Sequence, residues 1–217
     1  AVDNGFIEIS LLGQNVNSYL TPEGDFTYLL EELAQINGVK RIRYTSPHPK
    51  DITDDLLYVM RKYDNICNYI HLPLQSGSDK ILKRMNRTYN SNEFLNLVEK
   101  IKEILPNCSL STDVIVGFPG ESEKDFNDTL EVMKIVGFDF AYMFKYSSRP
   151  GTKASQFSDQ IEENLKQKRL LKLIDLQKKT TLNNNMKLIG SIQDIIIEKR
   201  SKKSNKYWSG RTEGNIW

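Results

Sequence analysis

Polar side chains gather in four short runs of this chain, residues 11–18, 72–78, 115–121 and 147–152, each where an apolar stretch gives way to small, polar or turn-forming residues. Active sites of α/β barrels are built from such strand ends. In the second run Pro73 and Gly77 fix a turn that aims Gln75 and Ser76 out of the strand end, which makes them the best ligand candidates in the chain. Asp113 lies inside the apolar run 110–116. A carboxylate there needs a partner, because burying it alone costs several kcal/mol, and a ribose hydroxyl, a neighbouring Arg or a backbone amide would serve. Arg149 follows the last β-like run, and a guanidinium at a barrel mouth suits a carboxylate or a phosphate.

Other polar positions have two readings. Gln14, Asn15 and Asn17 carry groups that donate and accept hydrogen bonds, yet Gly-Gln-Asn is equally good turn chemistry. Ser46 and His48 sit in Thr45-Ser-Pro-His-Pro49, where the two prolines stiffen the loop enough to hold a hydroxyl or an imidazole in place. His48 is read as structural, and His71, within an apolar run, as a hydrogen-bonded core residue. The two cysteines, Cys67 and Cys108, show no metal-ligand spacing and read as inert core thiols. No metal site is expected from them.

The elements that position these residues follow from periodicity. Short β-like runs recur at 6–12, 39–45, 69–74, 110–116 and 138–144. Helical patterns lie between them: Asp25 caps Phe26, Leu29, Leu30 and Leu33; Thr53 caps Leu56 and Met60; Phe94, Leu97, Val98 and Ile101 form another stripe; Ser122 with Asp125 caps Phe126, Leu130 and Met133, with Gly137 as the stop. Alternating strands and helices imply βαβ units and a parallel α/β sheet, open or barrel-like. A long basic helix is expected at 160–183, broken by Asn183-Asn-Asn185, and a β-prone stretch at 191–199 precedes a polar turn and Ser209-Gly-Arg-Thr-Glu-Gly-Asn215.

Together the runs at 11–18, 72–78, 115–121 and 147–152 resemble those of the radical-SAM methylthiotransferases, on the tRNA-modifying side of that family. The resemblance implies a partial (βα) barrel lacking its first βα unit in residues 1–185. It also implies a truncated small β-barrel of the TRAM, RNA-binding type in 186–217. It further implies S-adenosylmethionine as cofactor, held by Gln14, Asn15, Asn17, Ser46, Gln75, Ser76, Asp113 and Arg149, with the adenine beside residues 117–120. The family's C-x-x-x-C-x-x-C motif, whose three thiolates hold a 4Fe-4S cluster, appears nowhere in the chain. The chain is therefore expected to be an internal or C-terminal piece of an enzyme that adds a methylthio group to C2 of isopentenylated adenosine next to the anticodon, and to be inactive alone. The rivals are an enzyme acting on a ribosomal-protein aspartate and a non-catalytic RNA-binding module.

At 217 residues the chain can bury roughly 70% of its unfolded surface, enough for a sizeable core. No stretch approaches a membrane span and no secretory signal is visible, so a cytoplasmic monomer is expected. The net charge of +2 hides an asymmetry: up to residue 165 there are 17 Lys and Arg against 24 Asp and Glu, and from 166 to 206 there are 12 against 3. The tail is where a polyanion such as tRNA would be attracted, with Lys199, Arg200, Lys202, Lys203 and Arg211 as the RNA contacts.

Overall fold

The computed structural model describes every residue of the chain except Ser46. The chain forms two compact units, Ala1–His71 with Ile101–Leu110 and Leu188–Trp217, and Leu72–Lys100 with Ser111–Lys187. In the first, β1 (Glu8–Leu11) pairs in parallel with β2 (Arg41–Tyr44), joined through α1 (Phe26–Ala34), and α2 (Asp54–Lys62) and β3 (Tyr69–His71) follow. Asp25 and Thr53 accept from the amides of Tyr28 and Leu56 as the helix N-caps, as their sequence positions demand. Phe26 packs edge-on against Tyr44 at 5.3 Å, within a core that includes Leu30, Ile42, Leu56 and Leu57.

The end of the chain belongs to the same unit. Strands β6 (Ile195–Arg200) and β7 (Trp208–Thr212) pair antiparallel with an irregularity between Ile197 and Lys199. Two buried arginines of β2 clamp this hairpin through its backbone. Arg41 donates to the carbonyls of Arg211 (2.6 Å) and Asp194 (2.8 Å), and Arg43 to those of Thr212 (2.6 Å) and Glu213 (2.9 Å). The planar fork of arginine suits such paired donation.

The second unit is built on β4 (Ser109–Val116), whose residues from Ser111 on pair in parallel with β5 (Phe140–Lys145). Helices α3 (Asp79–Arg84), α4 (Ser91–Ile104), α5 (Glu123–Val136) and α6 (Glu163–Met186) complete the order. The strand expected at 69–74 stops at His71. Pro73 has no N–H, so the ladder is interrupted there. The amides of Leu72 and Gln75 still reach the carbonyls of Ser111 and Asp113 at 2.7 Å, while that of Leu74 takes the Thr112 hydroxyl at 2.9 Å. Helix α3 was not foreseen from periodicity, being too short to show a stripe.

Helix α6 departs from expectation in two ways. It runs through Asn183-Asn-Asn185 rather than breaking, because tertiary hydrogen bonds outweigh the weak helix propensity of asparagine. Asn184 donates to the carbonyl of Gly137 and the carboxylate of Asp139, both at 2.9 Å, and Gln177 and Thr181 donate to the carbonyls of Phe138 and Asp139 at 2.8 Å. The buried seam of α6 is also largely polar: only Leu173 of the expected apolar stripe is fully buried, beside Lys166, Arg169 and Gln177. The strand pairs lie in separate sheets, none closed into a ring, and no helix among the described residues is long and apolar enough to cross a membrane.

Asp125 ties the 72–78 turn to α5. Its carboxylate accepts from the hydroxyls of Ser78 (2.7 Å) and Ser122 (2.6 Å), the Ser122 amide (2.8 Å) and the Lys80 ammonium (2.9 Å). Burial works against the charged form, but the hydrogen bonds from Ser122, Ser78 and Lys80 outweigh it and hold the carboxyl well below the usual range. A depressed folded-state pKa contributes stability that is present above the unfolded value of about 3.9 and is lost as pH falls toward the folded value. Asp125→Asn should therefore cost about 1.5–3 kcal/mol at neutral pH in urea unfolding. Its stability should also vary less than that of the unsubstituted protein as pH falls below about 4.

Candidate functional site

The second unit holds a cleft of about 1040 Å³, larger than most small-molecule sites. Gln75, Asp113 and Ile115 line it from the strand ends, and Phe118, Tyr146 and Phe157 form an aromatic wall. Phe118 meets Tyr146 edge-on at 5.0 Å and Phe157 at 6.4 Å. Arg84 lies over Phe157 at 4.6 Å and pairs with Asp159 at 2.7 Å, which stiffens that side. Arg149 stands exposed at the mouth.

Gln75 is held in the left-handed region at φ 66°, where a non-glycine residue is uncommon. The neighbouring turn leaves it little choice. A Cβ on Gly77 would come within 2.6 Å of the Asp128 carbonyl oxygen and of Thr129 Cα, so the turn lies directly on the backbone of α5. The Gly77 amide donates to the Thr129 hydroxyl at 2.9 Å. Strained residues concentrate at ligand sites, and this one points a side-chain amide at the cleft.

The turn 115–121 is closed by a buried ion pair. Glu121 accepts from the Gly117 amide at 2.9 Å and from Arg169 of α6 at 2.8 Å. Burial pushes the Glu121 carboxyl up, and the Gly117 amide and Arg169 pull it back in part. Lys166 sets its ammonium 5.5 Å from the centre of the Tyr146 ring. Lys166 and Arg169, two cations counted with the basic tail, thus serve the cleft wall and are not available to a polyanion.

The structure brings Gln75, Asp113 and Arg149 to one cleft, and gives other expected ligands different work. Ser76 is fully buried, shares a hydrogen bond with Thr129 at 3.3 Å, and is not among the residues lining the cleft. In the first unit Asn17 is buried and uses both sides of its amide on the backbone of His48, accepting from its N–H at 2.8 Å and donating to its carbonyl at 3.1 Å. Asn15 donates to Asp51 at 3.1 Å, Gln14 is exposed, and Ser46 lies outside the described residues. Asp113 is half-buried at the cleft rather than enclosed in the core. Tyr146 was not foreseen. Its hydroxyl is buried without a hydrogen-bond partner among the described residues, as a group awaiting a ligand would be. Continuing the strand alternation two residues past Phe144 would have put it on the same face.

A family model described as the Radical SAM superfamily matches residues 1–133. The chain belongs to the radical SAM superfamily. Among curated relatives, the tRNA-2-methylthio-N(6)-dimethylallyladenosine synthase of Acetivibrio thermocellus is 48% identical over 214 residues, 97% of this chain and 45% of that protein. The protein of the same name from Clostridium tetani is 48% identical over 215 residues, 98% of this chain and 48% of that one. The chain thus spans about half the length of these relatives. Coproporphyrinogen III oxidase from Escherichia coli, a radical SAM enzyme, shares the fold with a TM-score of 0.56 at 22% identity, over 71% of this chain and 36% of that one.

Radical SAM proteins use S-adenosylmethionine and a 4Fe-4S cluster. The cleft fits the first: an unpartnered buried hydroxyl, a carboxylate, an amide and a guanidinium face a space large enough for a nucleoside. The residues present do not fit the second. A cluster is held by three thiolates in this family. The chain has two cysteines, both in the first unit, the Cys67 thiol is pushed up to about 11 by burial, and no group of three or more His, Cys, Asp or Glu among the described residues would hold a metal ion.

The strain at Gln75 can be separated from its side chain. Gln75→Ala and Gln75→Gly remove the same amide, but only glycine relieves the left-handed backbone. The glycine variant should be the more stable of the two by about 1–2 kcal/mol in thermal or urea unfolding.

Proposed function

We propose that this chain is the later part of a tRNA methylthiotransferase that adds a methylthio group to C2 of an isopentenylated adenosine next to the anticodon, acting as a cytoplasmic monomer. The observation that carries the reading is the 48% identity across 97% of the chain to a synthase of that name. In the enzyme as proposed, the three thiolates of the cluster belong to residues outside this chain.

In this reading S-adenosylmethionine supplies the 5′-deoxyadenosyl group when bound. Asp113 accepts from its ribose hydroxyls, and the Gln75 amide and the Tyr146 hydroxyl donate to its remaining polar atoms. Arg149 pairs with its carboxylate, and Phe118 gives the adenine an apolar surface. Water is kept from the inner cleft by the aromatic wall, which Arg169 and Lys166 brace from behind. Residues 186–217 are read as part of a TRAM-like RNA-binding domain. There Arg200 and Lys199 lie over Trp208 and Trp217 at 4.0 and 4.2 Å, and Lys202 and Lys203 are exposed in the turn between the strands. Arg211 is less available, because it pairs with Glu198 at 2.5 Å and with Glu8 at 3.6 Å.

Two measurements test the reading. Asp113→Asn should weaken S-adenosylmethionine binding by about tenfold or more in calorimetric titration, the loss of one hydrogen-bonded charge. Unchanged affinity would place the nucleoside elsewhere. Replacing Lys199, Arg200, Lys202 and Lys203 with Glu should weaken tRNA binding across sequences and flatten its salt dependence, because phosphate contacts position rather than specify. Undiminished binding by a folded variant would return the hairpin to a solvated surface.

A further inference from the structure

The segment up to residue 165 is acidic overall, with 17 basic against 24 acidic residues, yet the sign reverses at the cleft. Lys83, Arg84, Arg87, Lys145, Arg149 and Lys153 line it against Asp113 as the one acidic lining residue. Three of the six are accounted for. Arg84 is paired with Asp159, Lys145 with Glu163, and Arg149 is assigned above to the cofactor carboxylate. Lys83, Arg87 and Lys153 are exposed and make no ion pair among the described residues. A cationic mouth in an otherwise acidic surface concentrates a polyanion there rather than over the whole unit.

The backbone sets the position of these cations. Helix α3 ends with Asn86 in the left-handed conformation at φ 58°, its amide donating to the Lys83 carbonyl at 3.1 Å, and the Arg87 amide donating to the Leu82 carbonyl at 2.9 Å. This is the two-bond stop of a Schellman motif, and it fixes the chain direction where Arg87 joins the cleft lining. Lys153 joins the lining from the 3-10 turn Lys153–Gln156. Alternation along β5 places Phe140, Tyr142 and Phe144 on one face, 50%, 49% and 52% exposed, and Phe144 lines the cleft. Exposed aromatic faces beside unpaired cations are the two components that hold single-stranded nucleic acid, one for bases and one for phosphates.

We propose that Lys83, Arg87 and Lys153 form a phosphate-binding rim around the cleft, seating the backbone of a single-stranded RNA segment while one of its bases stacks on Phe144. This rests on the RNA-substrate reading above and adds to it a second electrostatic contact, separate from the β6–β7 hairpin. An acidic protein segment would use the cations without needing the exposed aromatic face.

The test uses the full chain and a fluorescein-labelled anticodon stem-loop RNA, followed by anisotropy across a salt series. The triple substitution Lys83→Gln, Arg87→Gln and Lys153→Gln should weaken binding and flatten the log-log salt slope by about 2, from about 0.7 for each single-strand phosphate released. Lys83→Gln and Lys153→Gln alone should each give about a third of that change, which guards against misfolding of the triple variant. Phe144→Ala should weaken binding by about fivefold or more with the slope unchanged, since stacking carries no counterion. A salt slope unaltered in the folded triple variant would overturn the rim. So would loss of S-adenosylmethionine affinity with RNA binding intact, which would assign these cations to the cofactor. Absence of RNA binding by the unsubstituted chain at low salt would instead defeat the RNA reading itself, and the rim with it.

Discussion

The cleft depends on one contact, the seating of the 72–78 turn on the first half of α5. Gly77 brings the turn against the helix backbone, Thr129 satisfies its amide, and Asp125 gathers Ser78, Ser122 and Lys80 onto one carboxylate. Each of these bonds is modest alone, but they share partners and lie in a buried site, where hydrogen bonds to a charge are strongest. Once the turn is seated, Gln75 has little choice but the left-handed conformation that presents it to the cleft. The polar residues of this run therefore divide by depth: Ser76 and Ser78 hold the turn, and Gln75 is what the turn holds out.

Charge is divided in the same manner. Sequence counts treat the cations from 166 to 206 as one basic tail, but the fold sorts them. Lys166 and Arg169 face inward behind the cleft, and Arg169 answers a carboxylate that its own burial would otherwise neutralise. A buried pair of this kind adds little net stability, while removing one partner is costly, so it acts chiefly to set the position of the 115–121 turn. In the first unit Arg41 and Arg43, from the segment counted as acidic, clamp the β6–β7 hairpin through its carbonyls. The cations left for solvent lie at the cleft mouth and on the hairpin.

Much of this was legible in the sequence because local physics decides it. Helix caps at Asp25, Thr53 and Ser122, the stop at Gly137, and the alternation of apolar strands with amphipathic helices each rest on a few neighbouring residues, and all appear where expected. The composition of the turns sufficed to indicate a radical SAM protein, and the superfamily match agrees. Local rules also explain the errors: Asn183-Asn-Asn185 is a good break signal, and only the carbonyls of residues 137–139, distant in sequence, reverse it.

The residue types at the strand ends, the two isolated thiols and the uneven charge are properties of the sequence by itself, and they were enough to place a nucleoside-type site and to exclude a three-thiolate cluster held by this chain. Which polar side chain meets a ligand was decided only by tertiary structure. Asn17 and Ser76 have the same chemistry as Gln75 and Asp113, but the first two find partners within the protein, whereas Gln75 and Asp113 line an open cleft. A hydrogen-bonding group has a fixed number of donors and acceptors. Whether they are taken up by the fold depends on neighbours that lie tens of residues away.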